Sequence, residues 1–420
     1  MSITKPKLNK AVEKFDLDGS IKQVASFDIS KTEALESVPS RNPYTEEGFE
    51  KRKEFMKATT GKTFDQLSGD EEIDIYGNLP GNLENFIGMS QVPTGVLGPL
   101  VINGISASGG YYVPLATTEG ALVASYARGA RACRLSGAIT SICLVEGIQR
   151  CPLFKFETIL GVGEFILWIM KEKEKFDAVV ATTSNYAKLN DMDFNIEGNQ
   201  VILTFEFTTG DAAGQNMVTI ATQAICAHII KHTPIQPEIW FIESNFSGDK
   251  KATSTSFSSV RGKKVVSEIT LKKEVISKIL KSTPELMFQY WQTSFMGAVK
   301  CGAIGAQGHY ANGLAALFIA CGQDAACVSE AAVGITRMEI DKNGDLYCSV
   351  TLPNVIVGTV GGGTSWPTQR ECLEMMDCYG EGKSVRLAEI CASLCLAGEI
   401  SIIAAMSSGE FASAHQRLGR

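Results

Sequence analysis

The sequence has no apolar run near the roughly 20 residues that a membrane-spanning helix needs; its longest, residues 313–321 and 399–406, fall far short. Nor does it have a basic block. Across 420 residues Lys and Arg number 39 against 46 Asp and Glu, a formal net charge of −7. Phosphate recognition needs a cationic patch, so a nucleic-acid surface is not expected. The opening residues, MSITKPKLNKAVEKFDLDG, lack the apolar segment of a secretory signal. The 12 cysteines include no Cys-x-x-Cys pair. Several (Cys226, Cys301, Cys391, Cys395) lie in apolar segments, so buried, reduced thiols in a cytoplasmic protein are expected rather than disulfides or zinc ligands. Histidine is scarce, with four in all: His228, His232, His309 and His415. His228 and His232 have the i, i+4 spacing of a helical metal pair, but no carboxylate stands suitably beside them in the sequence, so no metal site is expected.

What the chain has is apolar residues at 45% and glycine in quantity, 40 residues, against charged residues at 20%. Such a chain buries enough surface to offset the entropy of ordering, and its length suits two or three domains. Residues 1–84 are polar and read as a helical N-terminal region, with a charged helix over about 45–59. From residue 85 the character turns apolar and Gly-rich, with short strands broken by Pro and Gly, and residues 119–135 have the periodicity of a small-residue helix. Residues 152–244 stand apart. There 153–158 is a candidate strand, 163–176 a helix, 178–183 a second strand, and 201–207 a third. A helix opens at Gly210-Asp211 and runs to about His232, and a last strand follows Pro237. Strand–helix–strand–strand–helix–strand is the split βαβ order of a ferredoxin-like unit. The expected fold class is therefore α+β: a helical N-terminal region, then a large domain (85–151 and 245–420) interrupted by a small inserted ferredoxin-like domain (152–244). The remainder predicts a long small-residue helix over 296–321, two strands over 346–357, the turn Thr359–Thr364 and C-terminal helices.

Charge inside apolar, Gly-rich sequence is expensive unless paired or used. Four residues meet that description: Glu119 in ATTEGA, Lys250 in GDKKAT, Asp324 in IACGQDAA and His415 after FASA. Each alone also reads as a cap, a surface pair or a tail residue; together they make a proton-transfer and oxyanion-stabilising set. Two glycine clusters suit an anion or a closely approached ligand: Gly210–Gly214, which also reads as a plain glycine-assisted helix start, and Gly361-Gly362-Gly363 after a β-branched run, which also reads as a tight turn. Neither is the GxGxxG of a conventional dinucleotide fold. Arg128, Arg131, Arg134 and Arg150 supply cations for a phosphate or carboxylate, although helix arginines at i, i+3 spacing also read as ordinary surface residues.

The segments ENFIG (84–88), PLATTEG (114–120), GDAAGQNM (210–217), DKKAT (249–253), CGQDAA (321–326), GTVGGGT (358–364) and LAGEIS (396–401), followed by His415, resemble in that order the 3-hydroxy-3-methylglutaryl-CoA reductase family. The match is closer to its class I form and to soluble, bacterial-type members. It covers roughly residues 80–420. The resemblance implies reduction of the CoA thioester to mevalonate and CoA by two reduced nicotinamides. The same reaction run in reverse for mevalonate catabolism, or a relative that binds acyl-CoA without turnover, are the alternatives. It implies a homodimer or homotetramer with sites between subunits, no membrane or nucleic-acid partner, and no metal. By the same resemblance Lys250 holds the thioester oxygen. Asp324 sits between Lys250 and Glu119, Glu119 is buried and donates a proton, and His415 protonates the departing thiolate. Substrate positions carried over are Arg150, Asp249, Lys251, His309 and Asn312, with Ser125 and Arg131 at CoA. Cofactor positions are Thr118, Ser184, Asn185, Tyr186, Asp211, Gln215, Asn216, Met217, Val360, Gly361, Gly362 and Gly363. The implied cofactor is NADPH. Asn185, with Lys188 nearby, stands where animal-type relatives place an arginine against the 2′-phosphate, which leaves NADH open. A substrate-pocket lysine expected near 292–294 is missing, with Gln292 the nearest polar stand-in, and a family serine corresponds to Glu243 or Ser244.

Overall fold

A computed structural model describes residue 12 and residues 19–40 and 43–409; His415 lies outside the described residues. After two short helical turns, helix α1 (Glu46–Thr60) starts where the Thr45 hydroxyl accepts from the Gly48 N–H at 3.1 Å. The capping oxygen satisfies one of the N–H groups that a helix start leaves free. The N-terminal region is tied to the rest. The Glu371 carboxylate accepts from Leu67 N at 2.7 Å, and Arg134 donates to the Leu35 carbonyl at 2.7 Å. Arg134 is thus a strap for this region rather than a cation awaiting a ligand.

The sheet is ten-stranded. Strands β1 (Thr94–Gly104) and β2 (Ser108–Ala116) form an antiparallel hairpin, and β1 runs parallel to β3 (Ile139–Arg150). Between β2 and β3 lies helix α2 (Leu122–Ser136). Next come β4 (Leu153–Lys155), α3 (Ile159–Ala181), β5 (Lys188–Glu197), β6 (Gln200–Thr208), α4 (Gln215–His232) and β7 (Ile239–Phe241). These four strands pair antiparallel in the order β7-β4-β6-β5, and β6 also pairs with β3, so the ladder is continuous across the whole sheet. Strand β8 (Gly262–Leu271) lies on the other side of β3 and leads through β10 (Leu346–Val355) to the edge strand β9 (Ile335–Ile340). Helices α5 (Pro284–Cys301) and α6 (Tyr310–Ala320) precede β9; α7 (Pro367–Met375) and α8 (Ser384–Ser407) close the described chain.

Three local expectations are corrected. Residues 178–183 are not a strand: 178–181 finish α3 and 182–183 turn out of it, because Phe165, Ile169, Phe176 and Val180 fall on one buried helical face. Val180 follows Phe176 by four residues on that face, a period near 3.6 rather than 2. The second strand of this stretch is β5, at 188–197. The helix expected over 296–321 is two helices. Gly302 sits at φ 74°, a left-handed conformation that L side chains resist, so α5 stops at Cys301 and the chain turns before α6. Residues 346–357 hold one strand, β10, whose partners β8 and β9 come from elsewhere in the chain.

Helix α8 is the axis of the core. It is 24 residues long and apolar enough to cross a membrane, more than its separate apolar runs suggest, but 83% of its most apolar window is buried inside the molecule. The sheet and helices around it absorb that surface, each fully buried Leu or Ile contributing about 1.5–3 kcal/mol. Helix α2 crosses α8 so closely that a Cβ on Gly129 would stand 1.8 Å from the Ala397 carbonyl oxygen. The cysteines are all free thiols and all buried except Cys301, at the end of exposed α5. Burial pushes thiols such as Cys133 and Cys372 up to about 12, so they stay protonated. His228 meets the Glu172 carboxylate of α3 at 3.4 Å, a neighbour 56 residues away that helix spacing does not reveal.

Candidate active site

The expected site residues fall into two groups within one chain. In the first, the turn between β2 and α2 presents Glu119, whose N–H donates to the Thr117 hydroxyl at 3.0 Å. The Glu119 carboxylate is exposed, not buried as expected, and accepts from Asn312 Nδ2 of α6 at 3.1 Å. Together they border a cavity of about 630 Å³ whose lining includes Ser125, Tyr126, Arg128, His309 and Glu399. Arg128 is held by Ser401 of α8, through Nε to the hydroxyl at 3.1 Å and Nη2 to the carbonyl at 2.7 Å, and Ser125 also meets the Ser401 hydroxyl at 3.1 Å. Arg131 is exposed on α2, and Thr118, expected at the cofactor, is exposed beside Glu119. Gln292 is exposed and does not line the cavity, where α5 instead contributes Tyr290, Trp291, Ser294 and Phe295.

The second group centres on Lys250, at φ 55°, whose Nζ pairs with Asp324 at 2.8 Å. The hydrogen bond that Lys250 donates to Asp324 raises the lysine's proton affinity, and its effect exceeds desolvation. Partial burial pushes the Asp324 carboxyl up, but the bonds from Lys250 and from the Ala326 N–H outweigh it and hold the carboxyl below its ordinary value. The pair is therefore ionised throughout the neutral range. Beneath it lies a buried ionic frame. Arg261, 2% exposed, bridges Glu330 at 2.8 Å and Asp249 at 2.6 Å, and Asp249 also takes Arg150 at 3.0 Å. Glu330 in turn accepts from the Lys250 backbone N–H at 3.0 Å. Arg150 and Asp249, expected at the substrate, thus hold each other and fix the loop that carries Lys250; Lys251 is exposed and reaches the Asp249 carbonyl at 2.8 Å. Glu243 and Ser244 both bond Cys151, at the junction of β3 and β4.

Three glycine segments meet beside this pair. Gln323 brackets Gly358, accepting from its N–H at 2.8 Å and donating to its carbonyl at 3.0 Å, and Thr359 N donates to the Asp211 carbonyl at 2.8 Å. Gln215, first in α4, reaches Asp324 at 3.5 Å. Asp211 spends its carboxylate on the N–H groups of Gly382, at 2.7 Å, and Ser384, at 3.0 Å. Its role is to anchor α8, and the two bonds overcome desolvation to keep it ionised. Asn216, Asn185 and Tyr186 are exposed, and Ser184 closes a turn by accepting from Tyr186 N at 3.1 Å. Val360 and Gly363 are half-buried, as is Met217, while Gly361 and Gly362 are exposed.

Among the described residues Asp324 does not reach Glu119, whose carboxylate has Asn312 as its hydrogen-bonding partner. Asp324 therefore does not bridge the two groups within one chain.

A model of the family described as hydroxymethylglutaryl-coenzyme A reductase matches residues 48–420. This chain belongs to that family. It is 40% identical over 377 residues to the 3-hydroxy-3-methylglutaryl-coenzyme A reductase of Aeropyrum pernix, covering 88% of this chain and 89% of that protein. To the enzyme of the same name from Methanocaldococcus jannaschii it is 39% identical, covering 88% and 92%. A class II reductase from Streptococcus pneumoniae, solved bound to NADPH in open conformations, shares the fold with a TM-score of 0.69 at 18% identity, covering 87% of this chain and 99% of that one. As a hydroxymethylglutaryl-coenzyme A reductase family member the chain is an oxidoreductase. Sequence reasoning missed Tyr126, Arg261, Glu330 and Glu399 in this reductase. Glu330 and Glu399 carry the same signal as Glu119, a carboxylate in an apolar helical stretch; Tyr126 and Arg261 carry none.

Proposed function

We propose that the chain reduces 3-hydroxy-3-methylglutaryl-CoA to mevalonate and CoA in the isoprenoid (mevalonate) pathway, with two NADPH and two protons consumed per thioester. The observation that carries this reading is the Lys250–Asp324 ion pair at 2.8 Å, set where three glycine segments converge. The glycine segments suit a dinucleotide. The first turn of α4 has no acidic residue and no capping side chain, and no atom lies within 4 Å of where a Cβ on Gly361 or Gly362 would stand. Free helix N–H groups and bare backbone are what phosphate binding asks for. Gln215, Asn216, Met217 and residues 360–363 would hold the cofactor there, with Ser184, Asn185 and Tyr186 at its far end. The bound nicotinamide supplies hydride. Asn185 and the exposed Lys188 are the groups facing a 2′-phosphate, so NADPH is preferred through an ammonium rather than a guanidinium and NADH is tolerated.

Lys250 Nζ stabilises the negative charge that grows on the thioester oxygen, and later on the aldehyde oxygen, as the carbon is reduced. Asp324 keeps that ammonium charged and aimed. Glu119 delivers the proton to the alcohol, and His415 gives one to the departing CoA thiolate. Glu119 and Lys250 act on one substrate when two copies of the chain meet, each lending one group, in a homodimer or a tetramer of such pairs. Residues 152–244 form the cofactor unit, inserted into the substrate domain (85–151 and 245–420) behind the N-terminal region (1–84). The protein works in the cytoplasm.

The test is a thiol-release assay on the purified full chain. One thiol should appear per two NADPH oxidised, and Lys250→Met and Asp324→Asn should each cut kcat by at least about 10²-fold, the scale of removing one electrostatic stabiliser. Binding of the ester without thiol release, or near-normal turnover in both variants, would overturn the reading.

A further inference from the structure

Tyr126 is 1% exposed, and its ring fills room left by two glycines, since a Cβ on Gly313 or Gly398 would stand 2.6 or 2.4 Å from it. Its hydroxyl oxygen has three neighbours: the Gly313 N–H at 2.9 Å, the His309 carbonyl at 3.0 Å and His309 Nδ1 at 3.0 Å. A phenol has one proton and two lone pairs. Gly313 can only donate and the carbonyl can only accept, so the phenol proton belongs to the carbonyl and Nδ1 must bring a proton of its own. The opposite choice, a phenol donating to Nδ1, would face two oxygens across 3.0 Å with no proton between them.

The other ring nitrogen agrees. His309 Nε2 is closed to solvent and has no partner among the described residues. A buried acceptor without a partner is tolerated more readily than a buried N–H without one. The residue cannot readily turn away. The Glu399 carboxylate accepts from the N–H groups of Gly308 and His309 at 2.8 Å and from the Thr336 hydroxyl at 2.7 Å. Desolvation lowers the imidazole's proton affinity and outweighs the opposing pull of Glu399 and Glu119, so the ring is neutral at pH 7.

We propose that Tyr126 is a positioning residue that holds His309, which lines the Glu119 cavity, as its Nδ1–H tautomer, leaving Nε2 as a hydrogen-bond acceptor for the 3-hydroxyl of the substrate. The cavity wall that covers Nε2 must give way for the hydroxyl to reach it. The assignment of that partner rests on the function proposed above. A lone pair repels a carboxylate and receives a hydroxyl, so His309 reads the substrate's single hydroxyl and leaves its carboxylate to the cationic residues.

The experiment has two arms on the full-length chain. In the first, histidine ring nitrogens are labelled with ¹⁵N, His309 is assigned from its absence in His309→Asn, and long-range ¹H–¹⁵N correlations report the tautomer. The wild type should show a protonated Nδ1 and a bare Nε2, and Tyr126→Phe should lose that pattern. An Nε2–H tautomer in the wild type, or an unchanged pattern in Tyr126→Phe, would overturn the proposal. In the second arm, affinity for 3-hydroxy-3-methylglutaryl-CoA is compared with that for its analogue lacking the 3-hydroxyl. The wild type should favour the hydroxylated ester about tenfold, the scale of one net hydrogen bond, and Tyr126→Phe should abolish the preference. Equal preference in both proteins would sink the hydroxyl assignment. The spectra need no turnover, so a failure of the reductase reading leaves the tautomer result standing.

Discussion

Arg261 is 3% exposed at its side chain and faces Glu330, whose side chain is fully buried. Burial pushes the Glu330 carboxyl above its ordinary range although Arg261 opposes it. Arg261→Met would leave that carboxylate without its guanidinium, so it should cost about 3–5 kcal/mol at pH 7, read from urea denaturation. The pH dependence follows from linkage. A carboxyl raised in the folded state binds protons more readily there than when unfolded, so stability is fully present below the unfolded value, 4.5 for glutamate, and declines as pH rises through the folded one. Removing Arg261 raises the folded value further, so the variant's deficit should shrink as pH falls toward 5; a deficit independent of pH, or below about 1 kcal/mol, would contradict the pairing. This scale also shows how far sequence alone reaches. Lys250 and Asp324 stand out as charges in apolar, Gly-rich surroundings, and they do pair. The same criterion extends to Glu330 and Glu399, but their partners lie 69 and 91 residues away, and no local pattern names them. Tyr126 occupies an ordinary apolar helix position, so nothing in its neighbourhood announces a hydroxyl aimed at a histidine.

At the scale of elements, the crossing of α2 and α8 fixes where Ser125, Arg128 and Glu399 stand, because all three lie on these two helices. Gly129→Ala tests the crossing. The added Cβ would fall 1.8 Å from a backbone carbonyl, which cannot swing aside as a flexible side chain can. The helices must separate, at a cost of about 1–3 kcal/mol or more, visible as a lower urea midpoint with an unchanged slope. A variant within about 0.5 kcal/mol of wild type would show that the helices are not so close. The small-residue character of 119–135 announces a close packing face, and a helix is found there, at Leu122–Ser136. Where element reading failed, the cause was a competing pattern. The β-branched pair Val179-Val180 suggests a strand, but Val180 extends the buried face of α3, and the apolar stretch through 296–321 conceals the left-handed glycine that ends α5.

At the scale of the molecule, the chain keeps Glu119 and Asn312 at one place and Lys250 and Asp324 at another, each group complete in its own hydrogen bonds. Residue spacing cannot disclose such a division, since both groups draw on segments from across the chain. The rim of the Glu119 cavity is unusually apolar for a free surface: Phe295 of α5 lines it at 38% exposure, with Met296 and Val299 beside it at 64% and 66%. An exposed apolar helix next to half of the proposed catalytic set fits a site completed by a second copy. Subunit complementation decides this. Glu119→Gln and Lys250→Met chains, each inactive alone, should regain activity when unfolded together and refolded. If each site takes Glu119 from one chain and Lys250 from the other, the mixed pair has one site lacking both groups and one site intact. Random pairing in a two-fold dimer makes half the dimers mixed, so about a quarter of wild-type activity should return. Sites formed wholly within one chain would leave every site in the mixture damaged, and the refolded protein would stay as inactive as its parents.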